Sequence, residues 1–495
     1  MKKRIVSTCL ILFLSVFIKG GFPGSGAGYG TADAAPVTAS VAVDYSQTLG
    51  TFSPFIFGVM AGPYFDQSAF QSSSDLGARL ILVQANPSRR LPSNLNDPTQ
   101  YNFTVIDEQI DAILNIGAEP IILFAPSVKP KDLSIYSTYI QNFAKHLTQG
   151  WGSGHTWDIR LFRFGGEPDS SVYWQGTQQD FFDTYAAWAK ALKGVSQNFI
   201  LDTPALMMPR TNYNSLSMSS WTTNFLEYCN SNNVPVDFFS FHAYSALPYY
   251  LFYENALLLQ SVLQQYASLS PLYGAPLLAS DEWNLMFGDQ WSGSYHKQFD
   301  TAWAAAHNIN ALINMVQQGV KLSVPMTGTF NGGQGGCHDF LLVDCNGQPK
   351  PSFYAFQGFN WLYGTNQLAT TGTDHMNFAA IAGKSSNGII IVISDYDISA
   401  YLNAYEGSQP AVSDWPEYNS YVSSYGAPSS YGRYNITINN LPWTSSQSVV
   451  YEHYIVDDTH KLDLLSTRTI PGNAILTFTG NLIAPSVHVI KVYLQ

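Results

Sequence analysis

The sequence has few charged residues, and especially few basic ones. Only 12% of its 495 residues carry a formal charge, whereas a typical soluble protein has about 25%. Lys and Arg number 23 against 35 Asp and Glu, a formal net charge of −12 at pH 7. This shortage argues against nucleic acid or an anionic membrane surface as the main partner, because both bind clustered Lys and Arg. With 46% hydrophobic and 14% aromatic residues, the chain is neither disordered nor a coiled coil.

Cysteine is also scarce, with four in the whole chain. Cys9 lies in the N-terminal segment, and we expect Cys229 to be a lone buried thiol. Cys337 and Cys345 are eight residues apart in a Gly-rich loop and could form a small disulfide in an oxidising compartment. Neither a CxxC motif nor paired His and Cys residues indicate zinc. The sequence therefore predicts no metal site and no cofactor.

The N-terminal segment has the parts of a secretory signal. A basic stretch, Lys2 to Arg4, precedes an apolar run from Ile5 to Ile18, and small residues then lead to an A-x-A pattern at Ala32 to Ala35. The run is shorter than the roughly 20 residues that cross a bilayer, and no later segment supplies such a run. We expect residues 1–35 to be a cleaved signal peptide, and the mature protein to be extracellular without a membrane span. An uncleaved anchor is the alternative.

From residue 53 to about 330, short apolar runs alternate with segments of helical spacing. The eight strand-like runs are Phe55–Ala61, Arg79–Gln84, Pro120–Phe124, Ile159–Phe164, Asn198–Thr203, Asp237–His242, Pro276–Ser280 and Lys321–Thr327. The helical segments are Ile106–Leu114, Tyr136–Leu147, Phe181–Leu192, Trp221–Asn230, Ala256–Ala267 and Thr301–Gln318. This alternation predicts parallel β/α units and a (β/α)8 TIM barrel over residues 36–350. A doubly wound sheet is the alternative, but Phe57–Gly62 lacks the G-x-G-x-x-G turn that such a sheet would want.

After Gly364 the helical periodicity ends and β-rich runs follow, separated by Gly, Asn, Pro and Ser. These runs are Gly388–Ser394, Tyr434–Ile438, Val449–Val456, Ala474–Phe478 and Val487–Leu494. They predict an antiparallel β-sandwich domain over residues 351–495. We expect the Ser-, Tyr- and Gly-rich stretch Tyr418–Gly432 to be a long exposed loop.

Two glutamates follow predicted barrel strands. The fourth strand ends in Gly-Gly-Glu-Pro-Asp, which contains Glu167, and the seventh ends in Asp-Glu-Trp-Asn, which contains Glu282. Barrel chemistry takes place at the carboxyl ends of the strands, so both side chains are expected at the catalytic rim. Two facing carboxylates suit glycoside cleavage, in which one donates a proton and the other acts at the anomeric carbon. Helix capping or an ion pair at the rim is the structural alternative for each glutamate.

These motifs resemble those of glycoside hydrolase family 39, whose members are (β/α)8 retaining glycosidases. Glu167-Pro168-Asp169 resembles the family's W-N-E-P-like motif after strand four, and Ser280–Asn284 resembles its T-E-W-N-like motif after strand seven. Three more segments are similar to the family, namely Tyr173–Tyr185, Val234–Tyr244 and Pro349–Phe356. The resemblance is good from about residue 159 to residue 362.

The resemblance implies that Glu167 is the general acid/base and Glu282 the nucleophile. It also implies that His242 and Tyr244, at the end of strand six, hydrogen-bond the nucleophile or a sugar hydroxyl. The chain departs from the family at two places. Gly166 stands where the family has an Asn that touches the sugar 2-hydroxyl, and Leu82 and Gln84 replace an Arg and a His of strand two. These departures point to a diverged specificity.

Further candidates for substrate binding lie near the same strand ends. Sugar rings pack their C–H faces on aromatic side chains, so we expect Trp174 and Trp283 to line the cleft, with Trp283 as the main platform. Asn284 and Gln84 complete the predicted substrate-binding set. The sequence therefore favours a secreted retaining glycosidase acting on oligo- or polysaccharides. The alternatives are a non-catalytic carbohydrate-binding or cell-surface protein on a glycosidase scaffold, which Gly166 favours, and an extracellular structural or adhesive protein.

Overall fold

A computed structural model describes residues 37–60, 73–85, 94–211, 217–286, 296–326, 339–344, 346–398 and 416–495. The predicted signal peptide and the predicted Cys337–Cys345 pair lie outside these residues. Cys229 lies within them and is a buried free thiol, as predicted. No helix in the described ranges is long and apolar enough to cross a membrane.

The first strand, β1 (Val37–Thr51), belongs to a second sheet, and the next eight strands form a parallel barrel in chain order. They are β2 (Gly58–Met60), β3 (Leu80–Gln84), β4 (Glu119–Phe124), β5 (Leu161–Phe164), β6 (Ile200–Leu206), β7 (Phe238–Tyr244), β8 (Leu277–Asn284) and β9 (Val320–Pro325). The Ser323 amide donates to the Phe55 carbonyl at 3.0 Å, which ties β9 to the segment before β2. Apolar side chains fill the interior, including Leu80, Leu82, Ile121, Leu161, Ile200, Phe238, Ala279 and Leu322. The predicted TIM barrel is confirmed.

Helices surround the barrel; six of them coincide with segments of helical spacing, and the helix at Pro351–Phe359 was not predicted. They are α1 (Thr104–Asn115), α2 (Leu133–Gln149), α3 (Gln178–Val195), α4 (Ser220–Asn232), α5 (Asn255–Leu263), α6 (Ala302–Gln317) and α7 (Pro351–Phe359), with short helical turns at Pro98–Gln100, Tyr249–Glu254, Gln264–Leu269, Lys297–Asp300 and Asn360–Leu362. Capping residues fix where several of these helices begin and end. The Asp132 carboxylate accepts hydrogen bonds from two amides at the start of α2, and Gly150 ends that helix with φ 72°. Thr177 and Asp180 form a capping box at the start of α3.

The second sheet consists of β1 and the strands that follow the barrel. These are β10 (Asn366–Thr371), β11 (Phe378–Lys384), β12 (Gly388–Asp395), β13 (Tyr431–Asn439), β14 (Ser448–Val456), β15 (Lys461–Pro471), β16 (Leu476–Asn481) and β17 (Ser486–Leu494). The nine strands lie in the order β15-β14-β17-β12-β11-β10-β1-β13-β16. The strand β1 pairs antiparallel with β10 and parallel with β13. The sheet is therefore mixed rather than purely antiparallel as predicted.

The barrel domain was predicted to begin at residue 36, but β1 belongs to the second sheet. The alternate residues Ala39, Val41 and Val43 of β1 are buried in the core of the second sheet. This alternation is the burial pattern of a strand with one covered face, so the segment packs with the C-terminal strands before the chain enters the barrel. The sheet curls so that strands near its two ends face each other. This is shown by Tyr451 on β14, whose ring stacks on that of Phe478 on β16 with centroids 4.7 Å apart.

The prediction of a long exposed loop at Tyr418–Gly432 is wrong. A helix, α8 (Pro416–Tyr425), occupies most of this stretch, and β13 begins at Tyr431. Tyr421 is buried, and its hydroxyl donates to the Asp374 carbonyl at 3.0 Å. The tyrosines at 418, 421 and 425 have helical spacing, so the helix presents its aromatic side to the protein. The ring of Tyr421 lies 5.1 Å from that of Tyr249 in the barrel.

Candidate active site

Glu167 lies on a tight turn directly after β5. Gly165 has φ 92°, and Glu167 itself has φ 50°, a conformation that is rare for a residue with a side chain. A Cβ at Gly165 would lie 3.1 Å from both the Phe181 ring and the Pro204 carbonyl oxygen, so a larger residue would be strained there. The Glu167 amide donates to the Ala205 carbonyl at 2.9 Å. The turn therefore holds Glu167 against β6, at the carboxyl end of the barrel.

A shift in strand register brings Glu282 beside β7. Ser240 on β7 lies opposite Ala279 on β8, but His242 lies opposite Glu282. The strand β8 thus has one extra residue in this stretch, which is the geometry of a β-bulge. Bulges redirect side chains, and they are common next to active sites.

His242 connects the two carboxylates. Its Nδ1 lies 2.8 Å from Glu167 Oε1 and 3.8 Å from Glu282 Oε1. One oxygen of each glutamate and one ring nitrogen of His242 all lie within 4.8 Å of one another. Glu167 is buried, whereas the Glu282 side chain keeps 18% of its surface exposed.

The surroundings favour a protonated Glu167. Burial raises the pKa of its carboxyl, the hydrogen bond and charge of His242 lower it, and the negative charge of Glu282 raises it again, so that the net pKa lies above the ordinary value. Among the described residues, Oε2 of Glu167 is buried without a hydrogen-bond partner. This oxygen is therefore the one that is free to carry and donate a proton.

The tautomer of His242 follows from its second neighbour. The Arg163 Nη2 lies 2.9 Å from Nε2 of His242, and a guanidinium can only donate. This contact requires a lone pair on Nε2 and leaves the ring proton on Nδ1, from which it is donated to Glu167.

A second proton is held in the same cluster. Burial opposes a charge on His242, but Glu282, Glu167 and Asp281 outweigh it and raise the His242 pKa to about 9. The His242–Glu167 pair therefore holds one additional proton at neutral pH. The contact with Arg163 favours its location on Glu167 rather than on the ring.

Tyr244 supports the other carboxylate. Its hydroxyl donates to Glu282 Oε1 at 2.8 Å. Burial, together with the negative charge of Glu282, raises the pKa of the Tyr244 phenol well above its usual value. The phenol therefore stays protonated and donates to Glu282. The site thus combines one carboxyl whose pKa is raised, that of Glu167, with a second carboxyl group that accepts a hydrogen bond.

Comparisons with known proteins identify the family of the chain. The sequence profile described as "Glycosyl hydrolases family 39" matches residues 91–401, more than half of the chain. The chain belongs to glycoside hydrolase family 39. It is 26% identical over 336 residues to a β-xylosidase of Geobacillus stearothermophilus, covering 57% of this chain and 61% of that protein. A β-xylosidase of Caldicellulosiruptor saccharolyticus is 24% identical over 339 residues, covering 60% of this chain and 64% of that protein.

The chain thus spans less than two thirds of the length of these curated relatives. Among solved structures, a glucosidase from Croceicoccus marinus has a TM-score of 0.72 at 22% identity, covering 92% of this chain and 99% of that chain. This likeness shows that the two proteins share the fold.

Beneath the glutamates of this family 39 protein lies a buried charged cluster that sequence reasoning missed. Arg163 forms an ion pair with Asp281, and its Nη1 also donates to the Asp281 carbonyl at 3.3 Å. Asp202 is fully buried beside Asp281; burial, with the Asp281 charge adding to it, raises the pKa of Asp202 well above its usual value. The cluster therefore pairs the guanidinium with Asp281 and holds a second carboxyl, with a raised pKa, beside that pair. The available signal was a charged residue within, or directly after, each of three largely apolar runs.

A second missed residue fixes the turn that carries Glu167. The Asp169 carboxylate accepts hydrogen bonds from the amides of Met207 and Met208 at 3.0 and 2.8 Å. It thereby joins the segment after β5 to the segment after β6. Asp169 follows Glu167 and Pro168 directly, so its acidic side chain beside the motif was the available signal.

The predicted aromatic platforms are not exposed to the cleft. Trp283 is completely buried, its Nε1 donates to the Ser323 hydroxyl at 2.8 Å, and its ring packs edge-on against Phe252. Trp174 is also buried, and its Nε1 donates to the Thr177 carbonyl at 2.9 Å. Side chains alternate across a strand, so the residue next to the inward-facing Glu282 points to the helical layer instead. Both rings therefore belong to the core.

Of the two predicted amides, Asn284 differs from expectation, whereas the substrate contact of Gln84 stays a prediction. Asn284 is buried, its Nδ2 donates to the Met326 carbonyl at 3.0 Å, and its Oδ1 accepts from the Leu285 amide at 2.7 Å. Both ends of the amide are therefore bonded to backbone, which indicates a structural role. Gln84 is half-buried at the last position of β3, beside β4 and away from β7 and β8.

Gly166 leaves open space next to Glu167. No described atom lies within 4 Å of the position that a Cβ would take at residue 166. Gly165 has a positive φ, whereas Gly166 is not among the positive-φ residues. A side chain at position 166 is therefore compatible with both the backbone and the described surroundings.

Proposed function

We propose that the protein is a retaining glycoside hydrolase that cleaves O-glycosidic bonds of oligo- or polysaccharides by double displacement. The observation that carries this proposal is the approach of Glu167 and Glu282, which have carboxylate oxygens within 4.8 Å of each other. Retaining glycosidases hold their carboxyl groups about 5–5.5 Å apart, whereas inverting enzymes need about 6.5–9.5 Å to admit a water molecule.

In the first step, Glu282 attacks the anomeric carbon while Glu167 donates its proton to the leaving oxygen. The glycosidic C–O bond breaks, a glycosyl–Glu282 ester forms, and the leaving group departs as an alcohol. Tyr244 hydrogen-bonds the attacking carboxylate and holds it in one orientation. His242 donates from Nδ1 to Glu167 and stabilises the carboxylate that remains after proton transfer.

In the second step, Glu167 is the general base. It removes a proton from water, which attacks the anomeric carbon and displaces Glu282. Once Glu282 is esterified, its negative charge no longer raises the pKa of Glu167, which suits the change from acid to base. Two inversions at the anomeric carbon give net retention.

For the substrate, we propose a β-xyloside as the first candidate. Two curated relatives carry the name β-xylosidase, and each is aligned over more than half of this chain. We also propose that the enzyme acts outside the cell, since residues 1–35 have the basic, apolar and small-residue parts of a secretory signal.

The test is a screen of the protein on aryl β-xylosides, aryl β-glucosides and xylan. We expect Glu282→Ala to lose activity about 10⁴-fold or more. We expect Glu167→Ala to lose more activity on poor leaving groups than on dinitrophenyl glycosides, because only poor leaving groups need the proton. Glu452→Gln is the matched control, since Glu452 accepts from Tyr454 and Tyr493 on the second sheet, outside the barrel.

Azide separates the two roles. With Glu167→Ala, azide should restore turnover and give a glycosyl azide of retained configuration, because the glycosyl–Glu282 ester still forms. With Glu282→Ala, azide should give the inverted product. A wild type that binds xylan but cleaves no member of the panel would instead identify a non-catalytic carbohydrate-binding protein.

A further inference from the structure

A group of three metal-ligating side chains lies on the outer layer of the barrel. Asp107 is in the first turn of α1, His146 is in the last turn of α2, and His155 is in the loop that leads to β5. Their ligand atoms all lie within 4.8 Å of one another. The group shares no residue with the active site on β5, β7 and β8.

Two distances between the ligand atoms fit a metal ion. Nε2 of His146 and Nε2 of His155 lie 3.0 and 3.6 Å from the same oxygen, Oδ2 of Asp107. Zinc binds nitrogen and oxygen ligands at about 2.0–2.1 Å, and at tetrahedral angles this separates neighbouring ligand atoms by about 3.3 Å. The two observed distances lie on either side of that value.

Hydrogen bonding prepares His146 as a ligand. Its Nδ1 lies 3.0 Å from the Trp151 carbonyl oxygen, which can only accept, so Nδ1 carries a proton. The other nitrogen, Nε2, then faces the Asp107 carboxylate at 3.0 and 3.1 Å. A backbone carbonyl that binds the remote nitrogen is the usual partner of a metal-ligating histidine.

His155 is held in place by its backbone and by an aromatic ring. Its amide donates to the His146 carbonyl at 2.6 Å, and its carbonyl accepts from the Gly150 amide at 2.8 Å. Its ring stacks on Trp157 with centroids 3.6 Å apart and planes 5° apart. A Cβ at Gly154 would lie 2.1 Å from the His146 carbonyl oxygen, so this close loop requires glycine. The loop therefore presents His155 to the other two residues in a fixed position.

We propose that Asp107, His146 and His155 form a binding site for one divalent metal ion, Zn²⁺. Two imidazoles and one carboxylate suit Zn²⁺ better than Mg²⁺ or Ca²⁺, which prefer oxygen ligands. The His155 side chain is 37% exposed, so the fourth position of the ion faces solvent and is filled by water. The ion connects α1, α2 and the loop that enters β5. The sequence spacing did not indicate this site, because the ligands are 39 and 9 residues apart.

The test is calorimetric titration of the full chain with ZnSO₄ at pH 7.5, after chelator treatment and removal of the chelator. We expect one equivalent of Zn²⁺ to bind, and bound Zn²⁺ to raise the thermal midpoint. His155→Gln and Asp107→Asn should each weaken binding at least about tenfold. His155 is half-exposed, so His155→Gln is expected to fold normally even if a change at the buried His146 does not. A Co²⁺-loaded wild type should show the visible absorption of tetrahedral cobalt.

His460→Gln is the matched control. His460 is equally exposed and lies 2.9 Å from Asp457, but it forms an ordinary ion pair three residues apart on the second sheet. It should bind Zn²⁺ like wild type. Equal affinity in wild type, His155→Gln and Asp107→Asn would overturn the proposal and leave only a His146–Asp107 ion pair. Binding that is lost in Glu282→Gln but kept in His155→Gln would place the ion at the active site and would also overturn it.

Discussion

His242 and Glu167 are joined by a hydrogen bond of 2.8 Å between Nδ1 and Oε1, across the carboxyl ends of β5 and β7. This bond leaves Oε2 of Glu167 without a partner among the described residues. The acid is thus held by one oxygen and can donate from the other. His242 is therefore a positioning residue, since it acts on the substrate through Glu167.

The first prediction concerns His242→Asn. The hydrogen bond that His242 donates lowers the pKa of Glu167 against the effect of burial. Its removal should raise this pKa, so the fall of kcat/KM at high pH should move to higher pH. Loss of a hydrogen bond to a charged group should also reduce kcat about 10- to 100-fold. The measurement is a pH profile with an aryl glycoside that has a poor leaving group. A high-pH limb that moves to lower pH would contradict the assignment.

The second prediction concerns Tyr244→Phe. The substitution keeps the ring and removes the hydroxyl, which donates to Glu282 at 2.8 Å. Because that bond orients the attacking carboxylate, we expect kcat to fall about 10- to 100-fold with the thermal midpoint nearly unchanged. Tyr454→Phe is the control, since Tyr454 makes a similar bond of 2.9 Å to Glu452 in the second sheet. Equal effects of the two substitutions on kcat would exclude a special role for Tyr244.

The third prediction contrasts the effects of two buried aspartates, Asp202 and Asp281, on thermal stability. Burial holds the pKa of Asp202 well above the ordinary 3.8. A carboxyl with a raised folded-state pKa contributes its full stability only below the unfolded pKa, and the contribution is lost as pH rises. Asparagine does not titrate, so Asp202→Asn should not lose stability in this way. The thermal midpoint of the variant minus that of wild type should therefore increase as the pH is raised from about 4 to about 8.

Asp281→Asn, in contrast, should lower the thermal midpoint. It leaves the Arg163 guanidinium buried without its ion-pair partner, which costs about 3–5 kcal/mol. Differential scanning fluorimetry across pH measures both variants. If Asp202→Asn were destabilising at pH 7, Asp202 would be ionised and paired with Arg163.

The sequence predicted the barrel well because its signals are local. Each barrel strand is a short apolar run, and each predicted helix has apolar residues at helical spacing, so both appear without knowledge of contacts. Glu167 and Glu282 were predicted in the same way, since each lies at the carboxyl end of such an apolar run. The strand β1 was missed because its partners, β10 and β13, lie more than 300 residues away in sequence. Nothing local distinguishes a strand of one sheet from a strand of the other.

The burial of Trp283 was missed for a different reason. The predicted strand ended at Ser280, so Glu282 and Trp283 were both expected at the rim, whereas β8 continues to Asn284. Adjacent residues on a strand point to opposite faces, so Trp283 faces the helical layer when Glu282 faces the cleft. The Arg163–Asp281 pair joins residues 118 positions apart, so it becomes visible only in three dimensions.

The last prediction concerns Gly166→Asn. The position has open space in the described surroundings and lacks the positive φ of Gly165, so the variant should fold with a thermal midpoint close to that of wild type. Gly165→Asn is the matched control, and it should be destabilised, because its φ is 92° and a Cβ would crowd the Phe181 ring at 3.1 Å. The two neighbouring substitutions thus separate a backbone requirement from a missing side chain.

The resemblance to the family assigns to an Asn at this position a contact with the sugar 2-hydroxyl. Hydrogen bonds to this hydroxyl strengthen in the transition state, so Gly166→Asn should raise kcat more than it lowers KM. The gain should vanish on a 2-deoxy glycoside, which lacks the partner. Michaelis–Menten measurements on an aryl β-xyloside and its 2-deoxy analogue make the comparison. An equal gain on both substrates would mean that the new side chain acts on Glu167 itself and not on the sugar.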